Sequence, residues 1–101
     1  MLTQNAVSKE EVVLKVTGPL SGEATAEFHT RMEELTGGNY LTVTLNLAES
    51  PAINSSALGK ILLFQKKMSE GGRKLRIIGC SDTLFKAFQM IKFDTLVSIT
   101  R

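Results

Sequence analysis

Two stretches of strict two-residue alternation, each followed by a segment of helical period, constrain this chain more than any other feature. Val12, Leu14 and Val16 alternate with Val13, Lys15 and Thr17, and Leu41, Val43, Leu45 and Leu47 alternate with Thr42, Thr44 and Asn46. That is the period of half-buried strands. Gly18-Pro19 stops the first. Ser21 then stands as the N-cap of a helix predicted to run to about Leu35, with Glu23 in its first turn. Ala24, Phe28, Met32 and Leu35 are spaced to form its buried face, and Gly37-Gly38 ends it. After the loop Ala48 to Ile53, a second helix is predicted from about Ser55 to Glu70, with Leu58, Ile61, Leu62, Gln65 and Met68 on its inner face and Gly71-Gly72 closing it. Arg73 to Gly79 reads as a further strand with Leu75 and Ile77 on one side. Ser81 caps a third helix whose inward stripe is Leu84, Phe88 and Ile91. Thr3 to Val7 reads as a short edge strand, and Phe93 to Ile99 fits either a short helix or a strand.

The order β-β-α-β-α-β-α builds repeated βαβ units, whose right-handed crossovers produce a mostly parallel sheet. The expectation is one α/β domain over residues 1–101, with four to five strands. A parallel strand covered on both faces reads as a continuous apolar run. Here Lys15, Thr17, Thr42, Thr44, Asn46 and Arg76 fall on the alternate side, so the helices are expected mainly on one face. At 101 residues and 43 % hydrophobic content the chain has enough apolar surface for a core without metal or disulfide support.

Several classes of function are excluded at this level. One cysteine, Cys80, builds neither a disulfide framework nor a multi-cysteine zinc site. His29 is the lone histidine, so metal has no ligand set, and it is expected on the surface of the first helix. Residues Asn54 to Ile61 end like a P-loop at Gly59-Lys60, but a Walker A loop needs glycine at position 54 and a hydroxyl at 61. There is no G-x-S-x-G elbow for a Ser-His-Asp triad. No apolar run is long enough to span a bilayer. No basic segment followed by an apolar stretch opens the sequence, so Asn54-Ser55-Ser56 is not expected to act as a glycosylation sequon and the chain is expected to be cytoplasmic. The sequence implies no cofactor and no catalysis.

Charge is uneven. Residues 1–50 hold three basic groups against seven glutamates, and residues 51–101 hold nine against three acids. A basic half suits an acidic partner. Nucleic acid is not indicated, since Tyr40 is the single tyrosine, tryptophan is absent and stacking aromatics do not interleave with the cations.

The segment that remains is Ser50-Pro51-Ala52-Ile53-Asn54-Ser55-Ser56-Ala57-Leu58-Gly59. It follows a parallel strand and opens a helix, where α/β sheets place ligands. Asn54 or Ser55 serves there as a plain N-cap, or a serine accepts a phosphoryl group whose charge the helix N-terminus tolerates.

Leu45-Asn46-Leu47 through Asn54-Ser55-Ser56-Ala57-Leu58-Gly59-Lys60-Ile61-Leu62 resembles the signature of STAS domains, in particular bacterial anti-sigma factor antagonists, in which an Asp-Ser-Ser-Gly-Leu-Gly motif follows the third strand. Val16-Thr17-Gly18-Pro19-Leu20 resembles that family's strand ending in Gly-x-Leu. Gly71-Gly72-Arg73-Lys74-Leu75 resembles its glycine turn, and Phe88 to Leu96 its closing helix. The resemblance implies a partner-switching regulator, not an enzyme. A serine kinase doubling as an anti-sigma-type protein would bind the unphosphorylated form, and a PP2C-type phosphatase would restore it. The output would be transcription or another process such as biofilm control. By position the acceptor is Ser55, with adjacent Ser56 also available. Asn54 stands where the family has aspartate and Ala57 where it has glycine, both departures in the switch loop.

Helix geometry places Ser56, Lys60, Leu63 and Lys67 away from the predicted core face. Lys60, Leu63 and Lys67 are the expected partner-binding residues, the lysines steering an acidic surface toward an aliphatic anchor. Two rival readings are a constitutive STAS interaction subunit of a lipid-transport ATPase complex, in which the serines merely cap, and nucleotide binding or hydrolysis at the same loop.

Overall fold

Strand order in the sheet repeats strand order in the chain. The computed structural model describes residues 1–50 and 52–101; Pro51, which the sequence places in the switch segment, lies outside the described residues. The strands are β1 (Leu2–Ala6), β2 (Glu11–Thr17), β3 (Thr42–Glu49), β4 (Lys74–Ile78) and β5 (Ser98–Ile99), and the helices are α1 (Glu23–Thr36), α2 (Ser55–Glu70) and α3 (Asp82–Met90). They form one sheet in the order β1-β2-β3-β4-β5. β1 is antiparallel to β2, and the remaining pairs are parallel. This is the expected α/β architecture, with the sheet mixed at one edge.

The register explains how one face is reserved for the helices. Val12, Val43 and Leu75 lie side by side across β2, β3 and β4, and Leu14, Leu45 and Ile77 form the next row. These rows are buried and join Phe28 of α1, Phe64 of α2 and Phe88 of α3 in one apolar cluster. Three crossovers that step the same way across a sheet with the same hand place their helices on the same side. The opposite face carries Lys15, Thr42, Asn46 and Arg76. Lys15 pairs there with Glu49, and Arg76 lies 3.8 Å from Glu11. Thr44 shares that face but is buried in mid-sheet, flanked in register by Val13 and Arg76, so the face is drier at its centre than alternation alone suggests.

Five local expectations are corrected. Gly22, not Ser21, occupies the N-cap of α1, at φ 57° and without a side-chain cap. The buried face of that helix is Thr25, Phe28, Met32 and Leu35, with Ala24 displaced to half-burial. Leu41 precedes β3 and is exposed, since the strand begins at Thr42. In α2 the buried series is Ala57, Ile61, Phe64 and Met68, not one built on Leu58, Leu62 and Gln65. Leu62 is 37 % exposed, whereas Leu58 and Gln65 are partly buried at the flank. The series at 57, 61, 64 and 68 keeps spacings of four, three and four, which centres the large Phe64 ring over the sheet. Finally, α3 ends at Met90, so Ile91 is its C-cap and stays 45 % exposed. The undecided C-terminal stretch holds both structures: a 3-10 turn at Phe93–Thr95 and then β5. Phe93 closes the core there by packing on Phe88 with centroids 5.6 Å apart.

The C-terminus of α1 is held by a residue the strand pattern conceals. The Arg73 guanidinium donates to the carbonyl oxygens of Leu35 (2.9 Å), Thr36 (2.9 Å) and Tyr40 (2.6 Å). A cation at the negative end of a helix dipole, filling unpaired carbonyls, is favourable on both counts. Arg73→Ala is expected to cost about 2 kcal/mol in urea unfolding. Arg73→Lys recovers less than half of that, because an ammonium lacks the planar fork that reaches three carbonyls.

Candidate functional site

The loop between β3 and α2 is fixed from below before any side chain acts. Leu20, fully buried in the turn after β2, donates its N–H to the Ala52 carbonyl at 2.9 Å and accepts from the Asn54 N–H at 3.0 Å. This short parallel bridge, Leu20 to Ile53, ties the loop to the start of α1. At the tightest point under the sheet's end, Gly79 has φ +72°, and a Cβ there would stand 2.8 Å from the Ala48 backbone nitrogen.

Asn54 is the N-cap of α2. Its backbone is extended, Oδ1 accepts from the Ala57 N–H at 2.8 Å, and Nδ2 donates to Thr25 Oγ1 at 2.9 Å. One side chain therefore satisfies an orphan helix donor and joins α2 to α1. Asn54→Ala is expected to lower stability by about 1–2 kcal/mol. Asn54→Asp is expected to stay within about 0.5 kcal/mol, because a carboxylate still caps and accepts from the Thr25 hydroxyl at a favourable helix end. Chemical denaturation of the two variants checks this.

Ser55 and Ser56 are both exposed, at the first two positions of α2, and they face different neighbours. Ser55 sits at the mouth of a groove of about 230 Å³ between α2 and α3, together with Ile53, Leu58, Thr83, Ala87 and Phe88. Ser56 turns toward α1, where His29 Nε2 lies 3.3 Å from both its hydroxyl and its carbonyl oxygen. His29 is thus half-buried and engaged, not simply a surface residue. Ala57 lies inside the first turn of α2 with its methyl wholly buried in the core.

The remaining residues of the expected surface divide. Leu63 is 44 % exposed and Lys67 is exposed beside it. Lys60 is paired with Glu33 of α1, its side chain 13 % exposed. The Lys60 ammonium, by hydrogen bond and by charge, holds the Glu33 carboxyl below its ordinary value, with Lys67 and His29 adding to the effect. Sequence reading missed Leu20, Thr25 and Glu33. The signal for the last two lay in the four-residue spacing of Thr25, His29 and Glu33, which puts them on one side of α1.

Nucleophilic and metal chemistry find little here. Burial pushes the Cys80 thiol up to about 11, so it is not a thiolate near neutral pH. Among the described residues no cluster of three or more histidine, cysteine or acidic side chains is placed to hold a metal, and no helix is long and apolar enough to cross a membrane. What the loop offers is two hydroxyls at the positive end of a sixteen-residue helix, one over an apolar groove and one beside an imidazole.

Comparison with known proteins follows the same geometry. Residues 3–101 match the family model described as STAS domain. No curated protein sequence matches the chain. A Thermotoga maritima protein described as a candidate anti-sigma factor antagonist superposes with a TM-score of 0.88 at 21 % identity, covering 99 % of this chain and 86 % of its own. The Bacillus cell fate determinant SpoIIAA in its phosphorylated form gives 0.82 at 19 % identity, over 100 % of this chain and 92 % of its own. The STAS domain of a Vibrio cholerae SulP transporter gives 0.70 at 15 % identity, over 96 % and 77 %. With a family model matched from the first edge strand to the last residue, and a fold shared with those structures, the chain belongs to the STAS domain family.

Proposed function

We propose that this protein is a partner-switching regulator of the anti-sigma factor antagonist type. Unmodified, it binds a serine kinase that doubles as an anti-sigma-type regulator. Phosphorylation at the start of α2 releases it, and a PP2C-type phosphatase resets it. The observation that carries this reading is the pair of exposed hydroxyls of Ser55 and Ser56, presented on a capped helix N-terminus. A fold shared with SpoIIAA, which has been solved in phosphorylated and unphosphorylated forms, supports it. Ser55 is the acceptor by position in the motif. Transfer forms the serine Oγ–P bond, breaks the terminal phosphoryl bond of a nucleoside triphosphate, and releases the hydroxyl proton and the diphosphate.

Leu63 and Lys67 extend the binding surface along α2, with Lys60 at its α1 side. The test is intact-mass analysis after incubation with the kinase of the same genome and nucleoside triphosphate. An added phosphate that maps to residue 55 and is lost from that position in Ser55→Ala is the expected result. Leu63→Ala is expected to weaken the complex with little change in melting temperature. A second reading, a constitutive STAS interaction module such as a transport-complex subunit, is favoured by the likeness to a SulP transporter domain. It requires a stable complex in which the mass of the chain never changes.

A further inference from the structure

The outer edge of the α1–α2 interface carries three polar contacts in a row. Asn54 Nδ2 donates to Thr25 Oγ1 at 2.9 Å, His29 Nε2 lies 3.3 Å from Ser56 Oγ, and Lys60 pairs with Glu33. Thr25, His29 and Glu33 recur every four residues on α1, so one helix side supplies all three. The row makes the adjacent serines chemically unequal. A substituent on Ser56 Oγ grows out beside an imidazole. One on Ser55 grows out over a groove whose lining, Ile53, Leu58, Thr83, Ala87 and Phe88 among it, contains no cation among the described residues.

We propose that Ser56 is a second modification site whose phosphate is bound in place by His29 of α1, while a phosphate on Ser55 meets no side-chain cation in its groove. Phosphate on Ser56 would then be partly neutralised within the chain and clasp α1 to α2, leaving the repulsive role to Ser55. This inference rests on the reading of the loop as a phosphoacceptor. The step at Ser56 forms the Oγ–P bond and breaks the terminal phosphoryl bond of a nucleoside triphosphate held by the acting kinase; the hydroxyl proton and the diphosphate depart.

One turn along α1 from His29 lies Glu33, whose carboxylate is already paired with Lys60 of α2, so that pair presents little net charge. A phosphoserine gains its second negative charge near pH 6, and a cation beside it favours the dianion. At about 5 Å in a water-like dielectric, each would shift the other by about half a pH unit. Coupling is reciprocal for the second phosphate proton, and the charge the monoanion already carries adds to the rise at the imidazole.

The test uses two versions of the full chain with phosphoserine encoded at position 55 or at 56, titrated by phosphorus NMR and by the His29 ring resonances. The expected result is a phosphate midpoint about half a unit lower at position 56 than at 55. His29 should rise by at least that amount only in the chain modified at 56, and the phosphate shift should vanish in His29→Gln. Equal midpoints for the two phosphates, with His29 unmoved from its value in the unmodified chain, would overturn the proposal. The comparison on His29 itself decides the matter even where the glutamine variant folds poorly. No partner enters the measurement, so failure here leaves the switch at Ser55 standing. Failure of a kinase to modify or release the chain would instead strike the switch and leave this coupling intact.

Discussion

Phe64→Ala is expected to cost about 3–5 kcal/mol and to lower the melting midpoint by more than about 10 °C. Phe64 is among the largest fully buried side chains, in the row of α2 that also buries Ala57, Ile61 and Met68. Its ring lies in the cluster formed by the inner rows of the sheet. Truncation removes most of a ring from water-free contact and leaves a void that rigid strands on one side do not collapse to fill. The neighbouring residue supplies the contrast. Leu63→Ala, one position earlier and 44 % exposed, is expected to change stability by no more than about 0.5 kcal/mol. Urea unfolding of the pair followed by circular dichroism checks the rotational setting of α2. Were Leu58, Leu62 and Gln65 the inner face, Leu62→Ala would be the damaging substitution and Phe64→Ala the mild one.

Phosphorylation of Ser55 is expected to weaken the complex with the kinase-type partner at least about a hundredfold, a change of about 2.7 kcal/mol. The group adds up to two negative charges at neutral pH. Within the chain that charge is welcome: it meets the N-terminus of α2, worth about 0.3–1 kcal/mol, so melting is expected to change little. The groove beside Ser55 is walled by Ile53, Leu58, Ala87 and Phe88, and a partner pressed onto it would have to strip water from an unpaired dianion. Desolvation of that kind costs several kcal/mol without a cation in reach. On this proposal the modification would act on the surface and not on the fold, and a melting curve taken beside the binding curve separates the two.

The architecture was legible because two-residue alternation in β2 and β3 leaves one set of side chains polar, which a sheet covered on both faces does not tolerate. The phase of α2 was less legible. Leu58, Leu62 and Gln65 fit a helical stripe as well as Ala57, Phe64 and Met68 do, and the choice depends on where Asn54 starts the helix and which side faces the strands. Ser21 was read as a cap for its side chain, yet the turn needs φ 57° at Gly22, a conformation glycine adopts freely and serine does not. The loop itself stood out as Asn-Ser-Ser before a helix. Its supports did not, because Leu20, Thr25 and His29 lie roughly thirty residues earlier in the chain and meet it only through the β2–α1 turn and the packing of α1 on α2. Arg73 adjoins the alternating pattern of β4 in the sequence, although its bonds belong to the end of α1.

The most direct measurement is the dissociation constant of the kinase-type partner for two forms of one preparation, unmodified and carrying phosphate on Ser55, determined by titration calorimetry in the same buffer. Tight binding by the first and a loss of at least about a hundredfold in the second is the predicted result. Equal affinities for the two forms would contradict it and leave the chain a constitutive interaction module.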